Sequence, residues 1–496
     1  MGRPKSYCSG FRTFKTLCGV VHSLVMNKGT KYTKIVATLG PASTDEAILK
    51  DMLTEGVNVV RLNFSHGTHE GHQELLDTVR RIARELGVRI AILQDLSGPK
   101  IRIGDFKDGK VTLKKGQEFT LTTEPVVGDD TIVHINYPNL PAEVGPGATI
   151  MIFDGKISLQ VTHVTGNEIH CTVTTGGEIS DKKGVNIPGA HLSIKSLTDK
   201  DTEDLAFGIK NNLDFVAFSF VRTASDVHEL RVLLDAAQSP AKIVSKIETT
   251  EAVANLDEIV DATDVVMIAR GDLAVEIGTE NVPVYQKRIT SLCNEKGKPV
   301  ITATQMLDSM EHAPVPTRAE VSDVANAIFD GTDALMLSGE TATGLYPVEA
   351  VRVMKSVALV SEESLPLRKF IDLGAKGDVV NAITLSVVRM AEDVGAKAIV
   401  ALTESGLTAR MINRFRTPFP IYAVSPHETV LNQMMLSWGV TPVNLTCSHT
   451  VDAFTKEIIQ FALKNGVAQK GEKIVLSAGM HFGNVGSTNS LFVVEV

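Results

Sequence analysis

Eight short apolar runs, each rich in valine or isoleucine and each followed by a longer segment of helical period, constrain this chain more than any other feature. They are KIVATLG (34–40), VNVVRLNFSH (57–66), RIAILQDLSG (89–98), LDFVAFSFVR (213–222), KIVSKIET (242–249), DVVMIARGDL (264–273), PVITATQML (299–307) and DALMLSGETA (333–342). Near-continuous apolar strands must be covered on both faces. The alternation therefore implies a parallel sheet sheathed by helices, and eight such units are the arithmetic of a (β/α)8 TIM barrel. One helix start is legible: Thr317 as N-cap, with Glu320 three residues on, forms a capping box ahead of VSDVANAIF.

Two regions break the alternation. Residues 99–193 hold Thr- and Val-rich segments parted by glycine turns (VVGDD, GPG, FDGK, TGG) and read as a small all-β domain inserted in a barrel loop. From residue 368 a fresh alternation begins, with strands expected in AKAIVALTE, PIYAVSP, TPVNLT, KIVLSAG and SLFVVEV, so 368–496 reads as a C-terminal, Rossmann-like α/β domain. The barrel is then assigned to 31–98 and 194–367. Residues 1–30 are expected to be a poorly ordered basic extension, with no acid before Asp45; a targeting presequence and a later start at Met26 are the alternatives.

Composition excludes several functions. With 49 basic and 58 acidic residues the net charge is −9, which argues against a general nucleic-acid binder or a protein of anionic membrane surfaces. No apolar run approaches the ~18 residues that cross a bilayer. The five cysteines show no C-x-x-C spacing, so neither a disulfide framework nor a zinc site is expected, and a reducing, cytoplasmic setting fits.

The barrel runs end in polar residues: Arg61, Asn63, Ser65 and His66; Asp95 and Lys100; Ser219 and Arg222; Lys246 and Glu248; Arg270, Gly271 and Asp272; Thr302, Thr304 and Gln305; Ser338 and Glu340. In a barrel these ends converge on one mouth, where active sites lie. In SKIET, strand alternation puts Lys246 and Glu248 on one face. Glu248 and Asp272, expected on neighbouring strands, bring two carboxylates together, and all-oxygen ligation suits Mg2+ or Mn2+. Gly271 lets backbone approach a ligand closely. Arg61, Arg102, Lys200, Arg222 and Lys246 add cations for a strongly anionic substrate, and phosphoryl transfer relies on such charge and positioning. An ordinary Lys246–Glu248 ion pair is the bland alternative.

Taken together, KIVATLGPAS, NVVRLNFSHG, DLSGPKIR, SKIET, IARGDLAVEIG, ITATQMLDSM and PTRAEVSDVANAIFDGTDALMLSGETATGLYPVEAV resemble the pyruvate kinase family, in order, from about residue 31 to the C-terminus. The resemblance implies phosphoryl transfer from phosphoenolpyruvate to ADP, giving pyruvate and ATP, with the insert as a lid. It implies Mg2+ on Glu248 and Asp272, with the backbone of Ala269 to Gly271 closing one side. Lys246 and Arg61 would hold the transferring phosphoryl group. Thr304 would face the carbon that receives a proton, through a water chain involving Ser338, while Asn63, His66, Arg102 and Lys200 would face the nucleotide. A Mg2+ barrel enzyme acting on pyruvate without a nucleotide, and a catalytically silent scaffold, are the rival readings; the first leaves Arg102 and Lys200 without a role, and the second is at odds with the presence of Arg61, Lys246, Glu248 and Asp272.

Two departures from the family's pattern carry expectations of their own. Many relatives surround a K+ ion with the equivalents of Asn63, Ser65, Asp95 and the Leu96 carbonyl and place an acid where this chain has Lys100. An ammonium there implies that K+ is not required. In the C-terminal domain, TESGLTA resembles the allosteric phosphate loop of a homotetramer (Thr403, Glu404, Ser405, Gly406, Thr408). The acid Glu404 favours a sugar monophosphate or AMP over a doubly phosphorylated effector.

Overall fold

The computed structural model describes residues 31–190, 192–365, 370, 378–445, 451–479 and 488–496. The expected N-terminal extension, 1–30, lies outside them, as does most of the junction at 366–377.

The eight runs each contain one strand: β1 (Lys34–Thr38), β2 (Val59–Asn63), β3 (Ala91–Asp95), β4 (Phe215–Phe218), β5 (Lys242–Ile247), β6 (Val265–Ala269), β7 (Val300–Ala303) and β8 (Ala334–Leu337). All neighbours are parallel, and β8 pairs with β1, which closes the barrel. Alternation along each strand sorts its side chains into two cores. Val36, Val59, Leu93, Ala217, Val244, Met267, Ile301 and Met336 fill the barrel interior, while Val216, Phe218, Ile243, Ile247, Val266 and Ile268 pack outward against the helices. Thr317 caps the helix Arg318–Asp330 in the expected capping box with Glu320, and Gly331 ends it in the left-handed conformation.

The insert is mainly β. A six-stranded sheet and a separate two-stranded ribbon wrap a core of its own that runs from Ile101 to Ile187. One short helix, Leu140–Glu143, interrupts the strands. The insert is tied down at both crossings. On the way out, Gly98 adopts φ 66° and its amide donates to Asp201 Oδ1 at 3.1 Å. On the return, the Arg222 guanidinium donates to Leu192 O at 2.6 Å, to Ile194 O and to Ser196 Oγ at 3.0 Å.

The C-terminal domain holds the five expected strands: β9 (Ile399–Leu402), β10 (Ile421–Ser425), β11 (Val440–Asn444), β12 (Lys473–Gly479) and β13 (Thr488–Glu495). Their order is β11-β10-β9-β12-β13, parallel except for β13 at the edge. This domain closes the floor of the barrel. Met435 and Leu436 complete the interior core, and Arg416 forms a two-pronged pair with Asp333 at 3.1 and 2.9 Å. Asp333 also accepts from the amides of Val300 and Trp438, both at 3.1 Å, so a buried charge at the foot of β8 is fully partnered. Among the described residues no helix is long and apolar enough to cross a membrane.

Candidate active site

The mouth of the barrel is the polar continuation of its apolar interior. Counting by twos from Val59, Leu93, Ala217, Val244 and Met336, all inside the barrel, leads to Arg61, Asp95, Ser219, Lys246 and Ser338. Inward parity therefore delivers these side chains to one place without any special loop geometry.

Four of them form one connected network. Asp95 accepts from Arg61 Nε at 2.7 Å and lies 3.5 Å from Lys246 Nζ. Lys246 also reaches Glu248 Oε1 at 2.9 Å and donates to Ser219 Oγ at 2.8 Å, while Ser219 donates to the Leu96 carbonyl at 2.7 Å. Arg61 Nη1 donates to Thr38 Oγ1 at 3.0 Å. The ordinary Lys246–Glu248 ion pair is thus present, yet it is one edge of a larger array. Burial works against the Lys246 ammonium, but Asp95 and Glu248 more than offset it and hold its pKa above the usual lysine value. Burial likewise opposes charge on Asp95, and Lys246 and Arg61 reverse that, keeping the carboxylate below its normal range. Glu248 goes the other way: burial raises it, and the charge of Asp272 adds to the rise despite Lys246.

Asp272 acts on Glu248 electrostatically, although the two do not both lie on strands as expected. Glu248 follows the last residue of β5, and its Oε2 accepts the Phe220 amide at 2.7 Å. Asp272 sits in the first turn of the helix Arg270–Ile277, directly after β6. The helix begins at Arg270 directly after β6, so no turn signal marks the switch from strand to helix. Two carboxylates acting on each other fit a hard divalent cation completed by substrate and water, although Glu248 is at present engaged by Lys246 and the Phe220 amide. No group of three His, Cys, Asp or Glu side chains gathers into a metal site among the described residues.

Thr304 turns its hydroxyl into the site through an unusual backbone. Its φ is 68°, a left-handed conformation that costs a β-branched residue energy, and Gln305 follows at 53°. The Oγ1 accepts from the Gly271 amide at 2.8 Å and donates to Ala303 O at 2.6 Å. A Cβ on Gly271 would meet only the Thr304 side chain at ordinary contact distance, so nothing in the protein crowds that backbone. Arg270 holds the strained turn in place, donating to the Thr304 carbonyl at 2.7 Å and pairing with Asp323 at 2.7 Å. It and Arg222 serve the scaffold and not the substrate. Ser338 Oγ is buried without a hydrogen-bond partner among the described residues, and its amide donates to Glu340 Oε2 at 2.7 Å.

The residues expected at the nucleotide are only partly assembled. Lys200 Nζ donates to the Phe64 carbonyl at 2.8 Å, which fixes it beside the Asn63–His66 loop, and pairs with Asp204 at 2.6 Å. His66 is exposed on that loop. Arg102 is not brought to them: its guanidinium donates to Lys182 O at 3.0 Å inside the lid. Around the expected K+ position, Asn63 Oδ1 accepts the Ser65 amide at 3.2 Å, and Asp95 and the Leu96 carbonyl are engaged as above. Lys100 forms no ion pair among the described residues. It packs against Gly184 of the lid and lines the cleft, about 230 Å3, that contains Asp272 and Glu276. In the C-terminal loop, Thr408 Oγ1 lies 2.6 Å from Thr488 Oγ1, and Glu404 pairs with His427 at 2.8 Å. The helix after it, Leu407–Asn413, is two turns long.

Sequence reasoning gave no role to Ser219, Asp201 or Asp204. Asp201 was readable as the fourth residue of a Thr198 capping box, and Asp204 as the i+4 partner of Lys200. Ser219 could be placed only by barrel parity.

Comparison with known proteins agrees with this geometry. Residues 30–351 match the family model described as pyruvate kinase, barrel domain, and 381–494 match pyruvate kinase, alpha/beta domain. Pyruvate kinases of Staphylococcus epidermidis and Staphylococcus aureus are 45% identical over 92% of this chain and 79% of their own length. The crystal structure of a pyruvate kinase from Cryptosporidium parvum superposes with a TM-score of 0.89 at 36% identity, covering 94% of this chain and 96% of that one. With a closed eight-stranded barrel, a β lid and an α/β C-terminal domain joined to a carboxylate, lysine and arginine mouth, the chain belongs to the pyruvate kinase family, whose members use Mg2+ and transfer a phosphoryl group between phosphoenolpyruvate and ADP.

Proposed function

We propose that the Arg61–Asp95–Lys246–Glu248 network is the phosphoryl-transfer centre and that it works without K+. The observation that carries this reading is the polarisation of the network: one lysine held cationic between two buried carboxylates, Asp95 and Glu248, with the charge of a third carboxylate, Asp272, acting on both Lys246 and Glu248. Glu248 and Asp272 would hold Mg2+, which would supply neutralisation of the substrate's negative charge. The chain's own groups do the rest. Arg61 holds the phosphoryl oxygens in line. Lys246 stabilises the charge that spreads as the bond from phosphorus to the enol oxygen breaks and the bond to the ADP oxygen forms, and it then faces the enolate left behind. The enolate carbon takes a proton through water held by Thr304, with Ser338 Oγ free to extend that chain. Asn63, His66 and Lys200 face the nucleotide, and Arg102 joins them when the lid moves, which also excludes water from the reaction.

Lys100 supports independence from K+. It rides on the crossing to the lid and lines the same cleft as Asp272, and the would-be K+ ligands Asp95, Leu96 and Asn63 already accept internal hydrogen bonds. A homotetramer in a cytoplasmic setting, with an anionic effector such as a sugar monophosphate or AMP at Thr403–Thr408, completes the proposal. The central test is Lys246→Met. Turnover should fall by about 10²- to 10³-fold, as expected for loss of one preorganised charge at the reacting group, while Mn2+ binding followed by paramagnetic resonance stays near the wild-type level. Near-normal turnover would refute the role.

A further inference from the structure

The cleft of about 230 Å3 between lid and barrel holds a carboxylate that the phosphoryl-transfer centre does not use. Glu276 lies one turn beyond Asp272 on the helix Arg270–Ile277, so the two share a face, and both line the cleft. Local rules disfavour an acid there. It repels Asp272 four residues earlier, and it sits in the last turn of the helix, where the macrodipole favours a cation. No cation pairs with it among the described residues. Burial, reinforced by the charge of Asp272, raises its carboxyl above the usual range. What the side chain bonds accounts for its presence.

Thr250 Oγ1 donates to the Glu276 carbonyl at 3.2 Å and to its Oε2 at 3.4 Å, and the Thr250 amide bonds the same carboxylate. Thr250 opens the helix Thr250–Ala254 two residues past Glu248. From across the cleft the Asn186 side-chain amide donates to Glu276 as well. Asn186 belongs to the lid strand Val185–Asn186, which pairs with Met151 and Ile152 inside the six-stranded lid sheet. One carboxylate therefore joins the segment behind Glu248, the helix that carries Asp272, and the lid. We infer that Glu276 is a positioning residue that locks the lid onto the two carboxylates: through Asn186 it seats the lid over the mouth, and through Thr250 it sets the spacing of Glu248 and Asp272. This rests on the reading of Glu248 and Asp272 as the metal pair. With the lid seated, the acceptor of the phosphoryl group is ADP. With it released, water reaches the same phosphorus: the bond to the enol oxygen breaks, a bond to the water oxygen forms, and pyruvate and inorganic phosphate leave.

The test compares full-length wild type, Asn186→Ala, Glu276→Ala, the two combined, and Glu276→Gln. Pyruvate formation from phosphoenolpyruvate is measured with and without ADP at saturating Mg2+. The ADP-dependent kcat should fall about tenfold in each alanine variant, within what an ångström-scale misplacement costs. The double variant should be no slower than Glu276→Ala, as for two groups acting as a unit, and Glu276→Gln, which still accepts from Asn186 and Thr250, should recover most of the loss. The rate without ADP should hold or rise, so its ratio to the ADP-dependent rate increases at least about tenfold; general damage to the mouth would lower both rates together. Additive losses in the double variant, or a wild-type ratio in both single alanine variants, would overturn the inference. Mn2+ binding to Asp272→Asn, followed by paramagnetic resonance, checks the metal reading apart from it. Retained binding there would sink that reading and the lock's tie to the metal pair, whereas additive losses beside a lost Mn2+ site would sink the lock alone.

Discussion

At the residue scale, the chemistry depends on charges that burial alone would suppress. Lys246 stays cationic and Asp95 anionic because each is within reach of the other and of Arg61 or Glu248. Outside the site the same balance can fail, as it does at Asp214. Burial pushes its carboxyl up to about 6, with the Ile92 amide only partly offsetting the loss of water. The folded pKa stands above the unfolded one near 3.9. Its contribution to stability is therefore fully present below that lower value and is lost as pH rises through about 6. Asp214→Asn keeps an acceptor for the Ile92 amide and has no charge to desolvate. Relative to wild type, the variant should gain stability on the order of 2 kcal/mol between pH 4 and pH 7, read by urea unfolding at each pH. A constant difference across that range would show that Asp214 titrates normally.

Elements place those residues, and here the sequence was most readable. Each of the eight apolar runs contains a strand, because buried parallel strands need unbroken apolar sequence and no competing pattern intervenes. The Lys246 and Glu248 pairing followed from period 2 alone. What stayed hidden lies where the backbone leaves the regular period. Asp272 belongs to a helix that follows its strand with no turn between them, and Thr304 occupies a left-handed conformation that no propensity assigns to threonine. Arg222 looks like a substrate cation in sequence, since nothing local reveals that the Leu192 and Ile194 carbonyls already occupy it. The crossing QDLSGPKIR illustrates both sides. Its glycine is readable as a turn, but the reason for it is tertiary: a Cβ on Gly98 would stand 2.9 Å from both Phe220 Cδ2 and Ser219 Cβ, at φ 66°. Gly98→Ala should therefore disturb Ser219 and through it Lys246, lowering kcat with little change in the far-ultraviolet circular dichroism. Unchanged kcat would mean that the crossing relaxes without touching the site.

On the scale of the whole molecule, the barrel floor and the C-terminal domain share one buried ionic junction. Arg416 is almost wholly buried and bonds Asp333, Asn294 and the Gly331 carbonyl, while Asp333 anchors the amides of Val300 and Trp438. Removing one partner of such a pair leaves an uncompensated buried charge, at a cost of about 3–5 kcal/mol. Arg416→Met should lower the thermal midpoint markedly, whereas Arg352→Met, which breaks an exposed pair with Glu55, should scarcely move it. Equal shifts would mean that the junction adds no more than a surface ion pair. The lid is the other large-scale device, joined to the barrel through Gly98 and the Arg222 clamp and bringing Lys100 to the cleft. The proposed independence from K+ turns on that lysine. The most direct measurement is the rate of ADP-dependent pyruvate formation from phosphoenolpyruvate at saturating Mg2+, in K+ and in K+-free buffer of equal ionic strength. The account predicts equal rates for the wild type and a newly acquired K+ requirement in Lys100→Glu. Strong activation of the wild type by K+ would contradict it.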